Sequence, residues 1–204
     1  MNGKIIAVVG GPRSGKSFLV DKLAKHYSGT AILEGEERDF PDRIREDIQE
    51  NIRPLERIVW FRNKLVKEYF NAIELKKKGD IVVIDNFWIS YQLYIDTLAK
   101  DFEGEIIHDI ASIDRQTLEW PDLTILLSLS ENGIRDFIKR GGREFDNSEE
   151  FIKDQALPIH KLHVDFFSRD EIKSKNVLII ERDNLDFSKE DDFKFLIEKI
   201  ERSS

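Results

Sequence analysis

An apolar run, Lys4–Val9 (KIIAVV), breaks at Gly10 into a glycine-bearing loop, and a helix-like pattern begins at Lys16. The loop Gly10-Gly11-Pro12-Arg13-Ser14-Gly15-Lys16-Ser17 satisfies G-x-x-x-x-G-K-[ST] at every required position. A buried strand, this loop and a helix in that order leave few folds open. Gly10 and Gly15 let the backbone turn successive N–H groups toward a phosphate, and the helix N-terminus adds its partial positive charge. Lys16 is placed to reach the β- and γ-phosphates of a bound triphosphate, and the Ser17 hydroxyl suits Mg²⁺.

The rest of the chain repeats the strand–helix alternation. Strands are expected at Lys4–Val9, Thr30–Leu33, Asp80–Ile84, Leu123–Leu127 and Val177–Ile180. Helical patterns cover about Lys16–Tyr27, Pro54–Lys78, Phe87–Lys100, Ile106–Leu118, Ser130–Lys139, Ser148–Phe167 and Glu190–Glu201. In the longest, Ile58, Phe61, Leu65, Tyr69, Ala72 and Leu75 step by three and four, and Pro54 suits a first turn. Ser130 is a candidate N-cap. The acid-rich stretch from Gly35 to Asn51 has no clear period. Alternation of this kind implies an α/β fold, with a parallel, doubly wound sheet and helices on both faces. The length of 204 residues, with neither repeat nor linker, fits one domain, 1–204.

Composition narrows the function classes. The net charge is −8, with basic and acidic residues mixed along the chain, which argues against a nucleic-acid partner. No apolar run approaches the roughly 18 residues of a membrane span. The N-terminus meets glycines too early for a signal peptide, and there is no cysteine, so a cytoplasmic location is expected. A regulatory GTPase would carry N-K-x-D after a later strand, and none is present; the size suits a free-standing kinase of small metabolites.

Ligands of open α/β sheets bind at the carboxyl ends of strands. Glu34 follows the second strand and Asp85 the third, so both carboxylates should lie beside the loop. Asp85 suits the Mg²⁺ or its waters, and Glu34 suits proton abstraction from an attacking hydroxyl. Glu36 and Glu37 compete with Glu34, which ranks first on position. Arg140 and Arg143 flank two glycines after a helix (RGGREFDN, Arg140–Asn147), as a lid over transferring phosphates would need. Lys139 and Arg135 read as solvated helix residues. His160 and His163 share one helix face but lack a third ligand at suitable spacing, so a metal is not expected there.

Several segments together resemble the deoxynucleoside kinase and thymidylate kinase superfamily of P-loop enzymes over nearly the whole chain. These are GGPRSGKS, ILEGEE, VVIDNFWIS, PDLTILLSLSENGIRDFIKRGGREFD, KLHVDFF and VLIIERDNLDFSKEDDFKFLIEKI. The last two favour the deoxynucleoside kinase branch. The resemblance implies a three-layer α/β/α fold with a five-stranded parallel sheet in the order 2-3-1-4-5, a lid at about 140–147, and usually a homodimer. It implies ATP and Mg²⁺ as cofactors, with the loop and Phe18 around the donor. Glu34 would be the general base and Ser17 with Asp85 the metal site. Lys16, Arg13, Arg140 and Arg143 would act on the transferring phosphoryl. Glu34, Trp60, Phe61, Arg62, Tyr69 and Tyr91 would line the acceptor pocket.

The expected reaction is transfer of the γ-phosphoryl of ATP to the 5′-hydroxyl of a (deoxy)nucleoside. A dTMP-type monophosphate acceptor, a nicotinamide riboside-type kinase (from the likeness of IDNFWISYQ) and a non-catalytic nucleotide sensor are the alternatives. The chain departs from the family at Asn86, where an arginine normally follows the acidic residue; Arg13 is the candidate replacement for that charge.

Overall fold

The computed structural model describes residues 3–35, 39–141, 149 and 152–203. Five parallel strands form one sheet in the order β2-β3-β1-β4-β5, with β1 at Lys4–Val9, β2 at Thr30–Ile32, β3 at Ile81–Asp85, β4 at Leu123–Ser128 and β5 at Val177–Glu181. The sheet order and the doubly wound α/β class agree with expectation.

Strand β1 shows why the sheet is buried on both sides. Successive side chains point to opposite faces. Ile6 and Val8 pack with Leu19, Val20 and Leu23 of α1 (Lys16–His26) and with Phe193, Leu196, Ile197 and Ile200 of the C-terminal helix. Ile5, Ala7 and Val9 pack on the other side with Val66, Tyr69 and Ala72 of the long helix Pro54–Lys77, and with Phe87, Trp88 and Phe167. Burying each large aliphatic side chain contributes roughly 1.5–3 kcal/mol, so this central strand anchors both layers.

Between β2 and the long helix lies α2 (Asp42–Gln49), in a stretch without an obvious period. Its buried face is narrow, Ile44 and Asp47, and Asp47 is held by the Arg53 Nε at 2.8 Å. A stripe with so little apolar content is invisible to periodicity. The helix Pro54–Lys77 is α3.

The segment after β3 is not the single helix its pattern implies. A tight turn at Phe87–Ile89 leads into a 3₁₀ turn at Ser90–Tyr94, then α4 (Ile95–Leu98) and α5 (Asp101–Thr117). Asn86 takes a left-handed conformation (φ 63°), and the residues from Phe87 to Tyr91 are all buried. Packing on two sides, not helical periodicity, decides their path.

Past β4, the Ser130 hydroxyl accepts the Gly133 N–H at 3.1 Å, as expected of the cap of α6 (Glu131–Gly141). A wide turn, Ile152–Ala156, runs into α7 (Leu157–Phe167), and Pro158 has no N–H to continue the ordinary ladder backwards. Short α8 (Asp170–Lys173) and α9 (Glu190–Arg202) flank β5. Among the described residues no helix is long and apolar enough to cross a membrane.

Candidate active site

The loop from Gly10 to Gly15 joins the carboxyl end of β1 to α1. Gly15 is the N-cap at φ 83°, and no side chain caps the first turn. Its first N–H groups are therefore available to an anion. Arg13 also lies in the left-handed region (φ 61°), and the Ser14 N–H donates to the Gly11 carbonyl at 3.4 Å. The Lys16 ammonium donates to the Gly11 carbonyl at 3.2 Å, bending back over the loop. Phe18 is largely exposed on α1.

Two of the loop's glycines lie against close neighbours. A Cβ on Gly11 would lie 2.9 Å from the His160 Cβ and 3.0 Å from both its Cα and Nδ1. A Cβ on Gly15 would collide with the Arg182 guanidinium. His160 is buried, and its Nε2 accepts the Leu129 N–H at 3.1 Å at the end of β4. Burial lowers its pKa, so the ring is neutral and serves as packing beside the loop. His163 is also buried, with its pKa lowered to about 4 by desolvation; its Nδ1 lies 2.9 Å from the Ile159 carbonyl. The described residues contain no group of three or more acidic, histidine or cysteine side chains arranged to hold a metal ion.

Arg182 is a site residue the sequence reading missed. It follows β5, is buried, and donates to the Ser14 carbonyl of the loop. Its guanidinium lies 4.6 Å over the Phe137 ring and 4.7 Å over Phe187. Desolvation lowers its pKa to about 10, which leaves it cationic at neutral pH. The carboxyl-end rule that selected Glu34 and Asp85, applied to β5, points to this position.

Asp85 ends β3, buried, opposite Val8 in the sheet register. Its Oδ2 accepts the Ser17 hydroxyl at 2.6 Å. Its Oδ1 is buried with no hydrogen-bond partner among the described residues. A hydroxyl and a carboxylate in contact, with one carboxylate oxygen unsatisfied, form a hard-oxygen donor set that fits Mg²⁺.

Glu34 lies two residues beyond β2. The residue is half-buried, and desolvation of its carboxyl group raises its pKa. Lys16, Asn86 and Lys64 work against that rise, whereas the Asp85 charge adds to it. The Asn86 amide donates to Glu34 Oε2 at 2.7 Å, and the Lys64 ammonium donates to the Glu34 backbone carbonyl. Tyr94 is close enough that the Glu34 charge contributes, after burial, to raising its pKa. The structure therefore gathers Lys16, Ser17, Glu34 and Asp85 at the carboxyl ends of β1, β2 and β3. Glu36 and Glu37 lie outside the described residues.

The residues expected around the acceptor divide into three groups. Trp60 and Phe61 form an aromatic cluster with Phe40, with ring centroids 4.9 to 5.5 Å apart, and Phe61 also packs against the α3–α5 core. Arg62 donates to both oxygens of the buried Asp114 on α5, at 2.9 and 2.5 Å, and Tyr91 donates to the same carboxylate at 2.7 Å. Asp114 had no sequence signal; only the packing of α3 on α5 brings it there. Tyr69 is separated from the group. It is fully buried with its ring 6.0 Å from Phe87, and Asp122 and Glu119 add to the strong upward shift that burial gives its hydroxyl. Tyr69 packs in the core with Phe87 and Trp88, a different cluster from the one that holds Phe61 and Tyr91.

Arg140 is exposed, with its guanidinium 5.7 Å from the Phe137 ring centroid. Arg143 and most of the expected lid, 142–147, lie outside the described residues.

No protein-family model and no curated protein matches this sequence. Solved structures do match in fold. A deoxyadenosine kinase from M. mycoides, solved with bound dATP, aligns at TM-score 0.69 and 14% identity over 97% of this chain and 99% of that one. A thymidylate kinase from Candida albicans aligns at 0.68 and 16%, covering 99% and 93%. NadR in complex with NR aligns at 0.66 and 18%, covering 99% of this chain and 52% of that chain. The chain shares the α/β fold of these structures, with a five-stranded parallel sheet in the order 2-3-1-4-5.

Proposed function

We propose that this chain is an ATP- and Mg²⁺-dependent kinase that transfers the γ-phosphoryl group to the 5′-hydroxyl of a nucleoside, with a deoxynucleoside as the favoured acceptor. The observation that carries the reading is the half-buried Glu34 carboxylate just beyond the carboxyl end of β2, held by the Asn86 amide at 2.7 Å. A hydroxyl acceptor must give up a proton, whereas a phosphate acceptor needs additional cations instead. Arg62, which would be the cation for an acceptor phosphate, is engaged by Asp114. The fold it shares with a deoxyadenosine kinase and a thymidylate kinase supports the same reaction class.

In this reading Glu34 takes the proton of the attacking hydroxyl as the new P–O bond forms. The bond from the γ-phosphorus to the bridging oxygen breaks, and its electron pair leaves with ADP. Lys16 leaves the Gly11 carbonyl to meet the phosphates, and the open N-terminus of α1 holds them. Ser17 and Asp85 would hold Mg²⁺, which would supply neutralisation of phosphate charge. Arg13, Arg140 and Arg143 supply positive charge around the transferring group.

An ADP-release assay across nucleosides, nicotinamide riboside and nucleoside monophosphates tests the proposal. ADP release with one or more nucleosides is expected. Turnover of monophosphates alone would replace it with the nucleotide kinase reading, and ATP binding without turnover of any acceptor would replace it with a sensor.

A further inference from the structure

The Asn86 side chain meets the carboxylate of Glu34. Its amide nitrogen donates to Oε2 at 2.7 Å, and its backbone N–H donates to the Val8 carbonyl at 3.0 Å, tying it to the end of β1. At the far end of the same amide, the Ser90 hydroxyl donates to Oδ1 at 3.4 Å. The Glu34 carboxylate, which only accepts when ionised, sets the sense of the amide. Turning it over would set Oδ1 against the carboxylate, acceptor against acceptor, whereas the Ser90 hydroxyl can donate to an oxygen or accept from a nitrogen. Asn86 is buried and held at φ 63°, a conformation asparagine tolerates better than most residues.

We infer that Asn86 is the positioning residue of the proton-abstracting Glu34: it ties up Oε2 and leaves Oε1 as the oxygen that meets the acceptor hydroxyl. The inference rests on the reading of Glu34 as the base. A neutral donor is suited to this task. A hydrogen bond to the ionised carboxylate opposes the burial that otherwise favours its protonated form, as the direction of its effect on Glu34 indicates. It does so without the full positive charge that would pair with the base and weaken it. Asn86 acts through Glu34, and Ser90 acts through Asn86, so neither residue has to touch the acceptor or the phosphates.

The test is a double-mutant cycle measured as kcat and as KM for ATP. Asn86→Gly removes the amide and accepts the left-handed backbone; Asn86→Asp keeps the size and backbone tolerance but replaces the donor with an acceptor oxygen. Each is expected to lower kcat by about 100-fold, the scale of a misplaced catalytic group, with KM for ATP within about threefold of the parent. In a Glu34→Gln background the same substitutions should lower kcat by less than about threefold, because residues acting as a unit are non-additive. Equal losses in both backgrounds, or an Asn86→Asp protein with full kcat, would overturn the positioning role. A Glu34→Gln enzyme with unchanged kcat would instead remove Glu34 as the base, which is a separate failure.

Discussion

The Ser17 hydroxyl donates to the Asp85 carboxylate at 2.6 Å, joining the first turn of α1 to the last residue of β3. The two residues are 68 positions apart in the chain, and the parallel pairing of β1 with β3 brings them together. Asp85→Asn keeps the shape but removes the charge that favours a divalent cation. Its kcat/KM should fall by about 100-fold or more, and the Mg²⁺ concentration giving half-maximal rate should rise. A variant with an unchanged Mg²⁺ titration would place the metal elsewhere.

The raised pKa of Glu34 makes two pH predictions. As a base it works only when ionised, so kcat/KM should climb with pH through an apparent pKa above the ordinary carboxylate value of about 4.3. For stability the sign is opposite. A carboxyl whose folded pKa is raised contributes stability that is complete below its unfolded pKa and is lost as pH rises through the folded value. Glu34→Gln should therefore lose about 10²–10⁴-fold in rate yet melt at a higher temperature than wild type at pH 7. The difference in Tm should vanish near pH 4; a lower Tm at pH 7 would contradict the assignment of burial as the dominant cause.

His163 should limit stability in acid. Its folded pKa, about 4, lies below the unfolded value near 6.5, so the unfolded chain binds the extra proton first. Its contribution, on the order of 3 kcal/mol, is present above pH 6.5 and is lost as pH falls toward 4. The groups around it are Lys16, His160, the Ile159 carbonyl, and the rings of Tyr94 and Phe167. Urea denaturation at pH 7 and at pH 5 should show this loss in wild type, and a smaller one in His163→Gln. Equal pH slopes for the two proteins would assign acid sensitivity to other groups.

Gly11 is required by close approach, not by a left-handed backbone. Gly11→Ala would set its methyl against the His160 Cα as well as the side chain, so rotating the imidazole cannot relieve the clash. Overpacking of this kind costs about 1–3 kcal/mol. The variant should melt several degrees lower and bind ATP more weakly, as calorimetry and nucleotide titration would show. An unchanged Tm would mean that α7 moves freely relative to the loop.

Much of this protein could be read from local pattern. The run KIIAVV, buried on both faces, and the loop that follows dictate a strand, a turn of reversed backbone hand and a helix with an open N-terminus. Repetition of that strand–helix period implies a parallel doubly wound sheet, and the carboxyl-end rule then selects Glu34 and Asp85. These features depend on residues close together in the chain, where periodicity and turn chemistry act.

Tertiary structure decided what depends on residues far apart. Helix α2 exists with only a narrow buried face, and the segment after Asn86 follows the packing of Phe87 and Trp88 instead of its own helical pattern. Arg62 is joined to Asp114, 52 residues away, and Arg182 to the loop carbonyl of Ser14, 168 residues away. Tyr69 shares the α3 periodicity of the acceptor candidates, yet it is fully buried in the core with Phe87 and Trp88. A helical stripe specifies which face is buried but not what lies across from it. A buried charge or hydroxyl takes its partner from the fold, because only the folded chain brings that partner within hydrogen-bond reach.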